Sequence, residues 1–550
     1  MPIPSETLPS LVSKARSSAT TSLYLKPNVY IEPMVNQWYA WPMLIAPHTA
    51  AMVTRNLHLK IMESYVKSPK LHANALKNPK MLGGPFIDLP AGRVDQVANL
   101  LAATKDRLSD LCAFADAVRA LDDLLAREAQ GHSLVPLYEK IPAPLRGYVE
   151  LGYDLNNQAS IRFFERMLYK SPYYHQENQG IALSITRRDE RPFVLSTPRF
   201  PGPETLHYAM PFASEAIDRL AAMRHTPAPL AQLEAWLPED REQRAFFSSL
   251  FTEAEPQRRG KNRDDLGDGL RIKYFGHAVL LFETKDVTVM TDPLVSYDVG
   301  DQLTPRYCFE DLPDRIDYVL LTHGHQDHVM FETLLQLRHR IGTIVVPRSG
   351  AGSLQDPNLK LVLEHTGFDN VIELAEMEPL EVPGGRIHGL PFLGEHGDLH
   401  IHAKLGFHLD LAGRTVVCAA DSNNLSPEIF KLVRQHLGPV DTMFLGMECE
   451  GAPLSWLYGP LLTRTLERKM DQSRRFDGSD ARKGLEMVEA LECNRVFVYA
   501  MGQEPWLTFI SSLRYTKESK PIVESDQLVA ACRARGIESE RLYGKKLIQL

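Results

Sequence analysis

The chain has 550 residues, of which 44% are hydrophobic and 24% are charged. Such a chain is typical of a globular protein that buries more than one core, and we expect two or three domains. The formal net charge of -8 is small for this length, so it provides no overall attraction to nucleic acid or to an anionic membrane.

The sequence also argues against export and against a disulfide framework. Residues 1–28 lack the compact apolar core and cleavage site of a secretory leader, and no apolar run reaches the roughly 18 residues that span a bilayer. The six cysteines are scattered singly, without a CxxC pair. We therefore expect a cytoplasmic protein with no membrane and no nucleic-acid partner.

The first half of the chain mixes helical and extended patterns. Apolar residues recur at helical spacing in Pro47–Lys67 and Arg93–Glu128. Strands or irregular segments are predicted for Tyr24–Trp41, Leu134–Leu145 and Pro192–Thr197. The pattern predicts an α+β N-terminal domain.

Apolar residues almost vanish over 252–269, where charged residues, glycine and proline dominate. That composition cannot form a core and indicates a linker. We place the N-terminal domain at 1–255, the linker at 256–269 and a second domain at 270–550.

The second domain begins with short runs rich in Val, Ile, Leu and Phe, which are typical of buried strands. The predicted strands are Arg271–Phe275, Val279–Glu283, Val287–Thr291, Tyr318–Thr322 and Thr343–Val346. Helices are predicted at Phe331–Arg340, Pro427–Leu437 and Asp480–Leu491. Strands followed by alternating strands and helices predict a layered α/β sandwich.

The highest density of possible metal ligands lies directly after the predicted strand that begins at Tyr318. The motif His323-x-His325-x-Asp327-His328 places four metal ligands within six positions. A strand that ends in a tight turn can direct His323 and His325 at one metal, and Asp327 and His328 at a second one. Imidazole and carboxylate ligands suit zinc, iron or manganese. A histidine-rich surface turn is the structural alternative.

Two later segments offer further ligands. Glu395 and His396 lie between glycines after a short apolar run, where the backbone can approach a metal closely. Asp421 follows the apolar run that begins at Val416, and a carboxylate there could bridge two cations. The alternative for Asp421 is a helix or turn cap, because Ser422 and two asparagines follow.

The order of these motifs, HxHxDH followed by the Glu395 loop and then Asp421, resembles that of the metallo-β-lactamase superfamily over residues 270–550. The resemblance includes Phe275–Ala278 and Thr291–Pro293. The chain departs from that pattern at two ligands. Glu395 stands where a histidine is expected, and no histidine follows His436. A harder, more anionic ligand set favours iron over zinc.

One branch with this pattern contains the diiron β-hydroxylase of chloramphenicol biosynthesis and its relatives, and the chain resembles it over nearly its full length. The matching segments include Trp38–Trp41, Gly83–Pro85, Leu393–Asp398, Thr442–Glu448, Trp456–Pro460, Asp471–Arg475 and Tyr499–Gly502. The resemblance implies a metallo-β-lactamase αβ/βα sandwich preceded by the N-terminal α+β domain, which would contribute to dimerisation and to the entrance of the site.

The resemblance also implies an activity and a ligand set. The activity would be O2-dependent hydroxylation of the β-carbon of an amino acid held as a thioester on a peptidyl carrier domain of a nonribosomal peptide synthetase. His323, His325 and Glu395 would bind one iron, Asp327 and His328 the other, and Asp421 would lie between them. Glu395 and Asp327 are the candidate catalytic residues.

Two partners follow from this activity. The chain has no flavin or nicotinamide fingerprint, so an external reductase is expected to supply the electrons. A basic surface could receive the acidic carrier domain. Seven basic residues cluster for this role: Arg464, Arg468, Lys469, Arg474, Arg475, Arg482 and Lys483. A solvated surface with intermixed acids explains the same cluster.

The main competing hypothesis is a dinuclear zinc hydrolase, in which Asp327 would orient a hydroxide against a thioester, ester or lactone. The motif HxHxDH alone does not exclude it. Glu395, the missing last histidine and the full-length resemblance argue against it. A non-catalytic binding protein is a third hypothesis, disfavoured because buried ligands without a metal would be costly. His277 is interpreted as a hydrogen-bond partner of the site, and His396 as a residue that orients or replaces Glu395.

Overall fold

The computed structural model describes residues 22–78, 81–260, 263, 266–300, 303–350 and 352–550. The expectation that no leader is present concerns mainly residues 1–21, which lie outside the described part. Among the helices that the structure describes, none is both long and apolar enough to cross a membrane.

The N-terminal part contains three small sheets and a group of helices. Its strands are β1 (Ser22–Leu25), β2 (Val29–Val35), β3 (Trp38–Tyr39), β4 (Val149–Tyr153), β5 (Ala159–Phe163), β6 (Gln179–Ile185), β7 (Leu206–Ala209), β8 (Ala228–Pro229) and β9 (Phe251–Thr252). They form the sheets β3-β2-β6-β7, β8-β1-β9 and β4-β5. The α-helices are Pro42–Ile45, Pro47–Val53, Leu59–Lys67, Pro69–Ala75, Val94–Arg107, Ser109–Glu128, Glu165–Leu168, Glu215–Ala222 and Arg241–Ser249.

Both long helices predicted here are interrupted. A π-helical turn, Thr54–His58, divides the first predicted helix. The second breaks at Leu108, whose backbone leaves the α region with φ -113°. Leu108 is buried in the helical core, so tertiary packing overrides the continuous periodicity. Leu134–Leu145 forms two short 3₁₀ turns, and Pro192–Thr197 is irregular.

The remaining strands all belong to two larger sheets. They are β10 (Arg271–Tyr274), β11 (Leu280–Glu283), β12 (Thr288–Thr291), β13 (Ile316–Leu320), β14 (Ile341–Pro347), β15 (Val371–Leu374), β16 (Pro379–Val382), β17 (Gly385–Leu390), β18 (Gly406–Leu411), β19 (Arg414–Cys418), β20 (Thr442–Gly446), β21 (Arg495–Tyr499), β22 (Glu538–Arg541) and β23 (Lys546–Gln549). The accompanying α-helices are Phe331–Leu337, Leu359–Glu364, Glu428–Leu437, Ser455–Tyr458, Arg468–Ser473, Ala481–Leu491, Thr508–Ser511 and Lys520–Ala534.

The two sheets have seven strands each and stack face to face. The first has the order β15-β14-β13-β12-β11-β10-β23, and the second has the order β16-β17-β18-β19-β20-β21-β22. Side chains such as Ile272, Phe282, Phe407 and Phe444 fill the space between them. Helices, including Ala481–Leu491, cover the outer face of the second sheet. This αβ/βα sandwich confirms the predicted fold class.

The N-terminal part packs on the outer face of the first sheet, where both share one hydrophobic core. A buried carboxylate joins the two parts within this core. Glu332 accepts hydrogen bonds from Tyr39 Oη at 2.9 Å, Tyr297 Oη at 2.7 Å and Arg191 Nη1 at 2.9 Å. The Arg191 guanidinium also stacks on Phe509, 3.5 Å from the ring centroid. These contacts fix the N-terminal part relative to the first sheet.

We expect Glu332→Ala to lower the free energy of unfolding by about 3 to 5 kcal/mol, because the substitution leaves the Arg191 guanidinium buried without its counter-charge. Denaturant titration of the wild-type and variant proteins measures this change. Glu428→Ala is the control, because Glu428 is 69% exposed in its pair with Lys431 and should shift stability by no more than about 0.5 kcal/mol. Equal effects of the two substitutions would contradict the role of Glu332.

Candidate metal centre

The candidate ligands lie where strands of the two sheets end. The segment Thr322–His328 follows β13, Asp292 follows β12, Glu395 follows β17, Asp421 follows β19 and Glu448 follows β20. Strands β12 to β15 are parallel, as are β19 to β22, so the carboxyl ends within each group lie on one side. Ligand sites of α/β sheets form at such carboxyl ends.

The first donor group consists of His323, His325, Glu395 and His396, whose ligand atoms lie within 4.8 Å of one another. Glu395 Oε1 is 2.9 Å from His325 Nδ1, and its Oε2 is 3.5 Å from His323 Nε2. His396 Nδ1 lies 3.3 Å from Glu395 Oε2. All four side chains are buried. Glu395 therefore occupies the position of a ligand beside the two histidines of the motif.

The second donor group consists of His277, Asp327 and His328. Asp327 Oδ2 lies 3.4 Å from His277 Nε2. Asp421 lies between the two groups, because its Oδ2 is 3.0 Å from His328 Nε2 and its ligand atoms also group with His323. Its other oxygen, Oδ1, is buried without a hydrogen-bond partner among the described residues. The structure thus brings together all six residues that the sequence proposed as ligands.

Two neighbouring side chains orient the imidazoles. His328 Nδ1 donates to Asp292 Oδ2 at 2.8 Å, which leaves Nε2 facing Asp421. His325 Nε2 lies 3.1 Å from Tyr458 Oη, while its Nδ1 faces Glu395. Metal-binding histidines commonly make such hydrogen bonds through the nitrogen that does not bind the metal. The contacts therefore leave one nitrogen of each ring available to a cation.

Burial sets the charge states of the cluster. Burial and the neighbouring imidazoles lower the pKa of His323 well below its usual value, so it is neutral, as a ligand must be. Burial opposes ionisation of Asp327, but the hydrogen bond of His277 and nearby imidazoles lower its pKa below the usual value. Burial raises the pKa of Glu395 to about 7. A cation beside Glu395 would offset this desolvation.

The backbone is strained around these side chains. His277, Asp292, Glu395 and Ala420 have positive φ angles, which non-glycine residues rarely adopt. A Cβ at Gly394 would lie 2.4 Å from Asn423 Cβ, so the loop that carries Glu395 requires glycine there. Strain of this kind persists only where the surrounding structure fixes it, and it concentrates at functional sites.

The donor set fits a dinuclear metal centre. His323 Nε2, Glu395 Oε2, His396 Nε2 and Asp421 Oδ1 are buried without hydrogen-bond partners among the described residues. Buried polar atoms are usually satisfied, and several unsatisfied atoms aimed at one point indicate a missing ligand. Mixed imidazole and carboxylate donors suit iron.

A cavity of about 290 Å³ opens beside the cluster. His325, Asp327, Glu395 and Asp421 reach its wall. The remaining lining residues come from both parts of the chain and include Leu82, Gly83, Glu448, Glu450, Trp456, Arg475, Phe476 and Ser512. We call it the metal cavity. Its size suits an amino-acid side chain and part of a longer substrate.

Sequence reasoning missed Glu448 as a site residue. Burial raises the pKa of Glu448 well above its usual value, and the charges of Asp421 and Asp327 raise it further. Glu448 thus adds a further carboxyl to the wall of the metal cavity. The sequence contained the same pattern at Glu448 as at Asp421. Glu448 follows the apolar run of β20, just as Asp421 follows the apolar run of β19.

The structure also bears on the basic cluster between Arg464 and Lys483. Several of its cations already have partners within the chain: Arg464 pairs with Asp122, Arg482 with Glu486, Lys483 with Asn423, and Arg474 with the carbonyl of Gly397. These contacts favour the structural interpretation of that segment over a free docking surface. Arg475 also has partners within the chain, the Gly451 carbonyl and Asp477, and in addition it lines the metal cavity.

Two family models match the chain. Residues 24–256 match the diiron non-heme beta-hydroxylase N-terminal domain, and residues 288–451 match the beta-lactamase superfamily domain. A metal-dependent hydrolase of Bacillus licheniformis is 26% identical over 178 residues, which are 32% of this chain and 72% of that protein. The hydrolase likeness therefore covers about a third of this chain.

A hydroxylase matches almost the whole chain. The 4-amino-L-phenylalanyl-[CmlP-peptidyl-carrier-protein] 3-hydroxylase of Streptomyces venezuelae is 38% identical over 534 residues, or 96% of this chain and 99% of that protein. The crystal structure of CmlA, a diiron beta-hydroxylase from Streptomyces venezuelae, superposes with a TM-score of 0.90 and covers 96% of this chain and 100% of that chain. These matches favour the hydroxylase hypothesis over the hydrolase. The chain belongs to the family of diiron non-heme β-hydroxylases, oxygenases whose C-terminal domain has the metallo-β-lactamase fold.

Proposed function

We propose that this enzyme hydroxylates the β-carbon of an amino acid that is held as a thioester on a peptidyl carrier domain of a nonribosomal peptide synthetase. The observation that carries the proposal is the position of Glu395, a buried carboxylate that faces His323 and His325. The substrate class rests on the relative of Streptomyces venezuelae, whose name specifies an aminoacyl group on a peptidyl carrier protein.

We assign the ligands as the family resemblance implies, and the distances within the two donor groups agree with that assignment. His323, His325 and Glu395 would hold one iron, Asp327 and His328 would hold the other, and Asp421 would lie between them. His396 belongs to the first donor group, so it does not replace a last histidine at the second iron. His277 contacts Asp327 and positions that carboxylate. Three carboxylates balance much of the charge of two iron ions.

The reaction places one oxygen atom of O2 on carbon and reduces the other to water, which consumes two electrons and two protons. A dinuclear iron centre supplies the oxidising chemistry that this C–H bond requires. The residues of the chain hold the substrate in the metal cavity, where Trp456 and Phe476 line the wall. Glu448 lies at the same wall, beside the proposed ligands Asp421 and Asp327. An external reductase supplies the electrons, and a homodimer is the working assembly.

The proposal is tested with iron-loaded, reduced enzyme and a panel of aminoacyl carrier domains under ¹⁸O2. The expected product carries one labelled oxygen at the β-carbon, detected by mass spectrometry. Two zinc ions per chain after growth with both metals, with hydrolysis of the thioester and no labelled product, would refute the proposal.

Glu395→His tests the ligand that distinguishes this site. An imidazole removes one negative charge, so we expect weaker iron retention, a shift towards zinc and a fall in hydroxylation of about tenfold or more. Metal analysis and product formation measure these changes. Glu381→His is the control, because Glu381 is 68% exposed on β16. Unchanged iron content and turnover in Glu395→His would contradict the assignment.

Asp292→Asn tests the residue that orients His328. Asp292 accepts hydrogen bonds from Thr322 N, Thr322 Oγ1 and His328 Nδ1, so either orientation of an amide turns its NH2 group towards a donor. We expect the affinity for the second iron to fall about 10- to 100-fold, measured by competition with a chelator. Asp410→Asn is the control, because Asp410 is exposed on β18. Equal metal affinity in both variants would exclude this role for Asp292.

A further inference from the structure

A second cavity adjoins the metal cavity on the side of the N-terminal domain. Its volume is about 280 Å³, and we call it the outer cavity. The two cavities share Leu82, Gly83 and Ser512 as lining residues. A substrate that extends beyond the metal cavity at this boundary enters the outer cavity.

Gly83 and Ser512 form the boundary through direct contact. A Cβ at Gly83 would lie 3.1 Å from Ser512 Cβ, and Gly83 has a φ of +76° that favours glycine. Trp456 Nε1 donates to the Gly83 carbonyl at 2.8 Å and fixes this turn against the C-terminal domain. The boundary is therefore built from both domains.

The charges differ on the two sides of the boundary. Among the described residues, the metal cavity is lined by five carboxylates and one arginine, Arg475. In the same part of the chain, the outer cavity is lined by three arginines, Arg188, Arg191 and Arg514, and by two carboxylates, Asp88 and Glu190. An anionic group is disfavoured beside the carboxylates of the metal cavity and favoured beside the arginines.

The two exposed arginines differ from the third in their partners. Arg191 is held by Glu332 and is not available to a ligand. Arg188 is 81% exposed, and its only ion pair among the described residues is a 3.7 Å contact with Glu190, itself 73% exposed. Arg514 is exposed and has no ion-pair partner within the described part of the chain. Both side chains are therefore free to bind an anion.

We propose that the outer cavity binds the phosphate of the phosphopantetheine arm through Arg188 and Arg514, while the arm crosses the boundary at Gly83 and Ser512. This inference rests on the proposed function, because the arm joins the amino acid to the carrier domain. Guanidinium groups bind phosphate through charge-assisted hydrogen bonds. The amino acid then lies in the metal cavity and the phosphate at the outer mouth.

Binding of two probes to the iron-loaded enzyme tests the assignment. One is phenylalanine joined through an amide to phosphopantetheine, and the other is the same molecule without the phosphate. We expect wild-type enzyme to bind the phosphorylated probe about 10- to 100-fold more tightly by calorimetry, as charged hydrogen bonds of this kind would give. Arg188→Ala and Arg514→Ala should each reduce that preference, and the double variant should abolish it.

Arg468→Ala is the matched control, because Arg468 is an exposed arginine of the other basic cluster and should keep the full preference. Arg514→Lys should retain part of it, since an ammonium still attracts phosphate. Equal affinity of wild-type enzyme for both probes, or loss of the preference in Arg468→Ala, would overturn the assignment.

The same experiment separates this inference from the proposed function. If phosphate adds nothing to binding but the carrier-bound amino acid is still hydroxylated, the phosphate site is wrong and the proposed function stands. If neither probe binds and no carrier-bound amino acid is hydroxylated, both are wrong. Circular dichroism and iron content of each variant verify that the fold and the metal centre are intact.

Discussion

The structure depends on one electrostatic constraint, which is the burial of several imidazoles and carboxylates within a few ångströms of one another. Glu395, Asp327 and Asp421 lie in an environment where uncompensated charge is costly, and Glu395 Oε2 and Asp421 Oδ1 have no hydrogen-bond partner among the described residues. Two cations remove that cost, so metal binding and stability of the cluster are coupled. The backbone at His277 and Glu395 has positive φ angles, and the packed core between the two sheets supports this strained conformation.

The N-terminal domain completes the site rather than supplying its ligands. All six proposed ligands lie between residues 323 and 421, at strand ends of the two large sheets. The N-terminal domain contributes Leu82 and Gly83 to the metal cavity and is held against the first sheet by the buried pair of Arg191 and Glu332. This division agrees with the matches, because the hydrolase of Bacillus licheniformis covers 32% of this chain and the hydroxylase covers 96%.

The structural features that depend on local sequence pattern could be predicted from the sequence. The features that depend on contacts between distant segments could not. The strand before His323 and the paired ligands of HxHxDH follow from alternation within a few residues, so they were predictable. The hydrogen bond between Asp292 and His328 was not, since it depends on the parallel pairing of β12 with β13. The helix break at Leu108 escaped prediction because tertiary packing determines it. The basic cluster near Arg464 was ambiguous for the same reason, since Asp122 is its partner across more than three hundred residues.

Negative and positive side chains line different parts of the path from solvent to the metal site. This separation of charge favours one orientation of a bound substrate. Carboxylates that balance the irons make the inner end of the path unfavourable for another anion, whatever the side chain of the amino acid. Arginines at the outer mouth have the opposite preference, so an extended substrate with one anionic end has one favourable orientation. In the proposed arrangement, the residues that discriminate between amino acids would lie beside Trp456 and Phe476, and the residues that bind the phosphate of the carrier arm would lie on the N-terminal domain and the segment around Arg514. Selection of the amino acid and recognition of the carrier arm could then change independently, because different side chains would perform them.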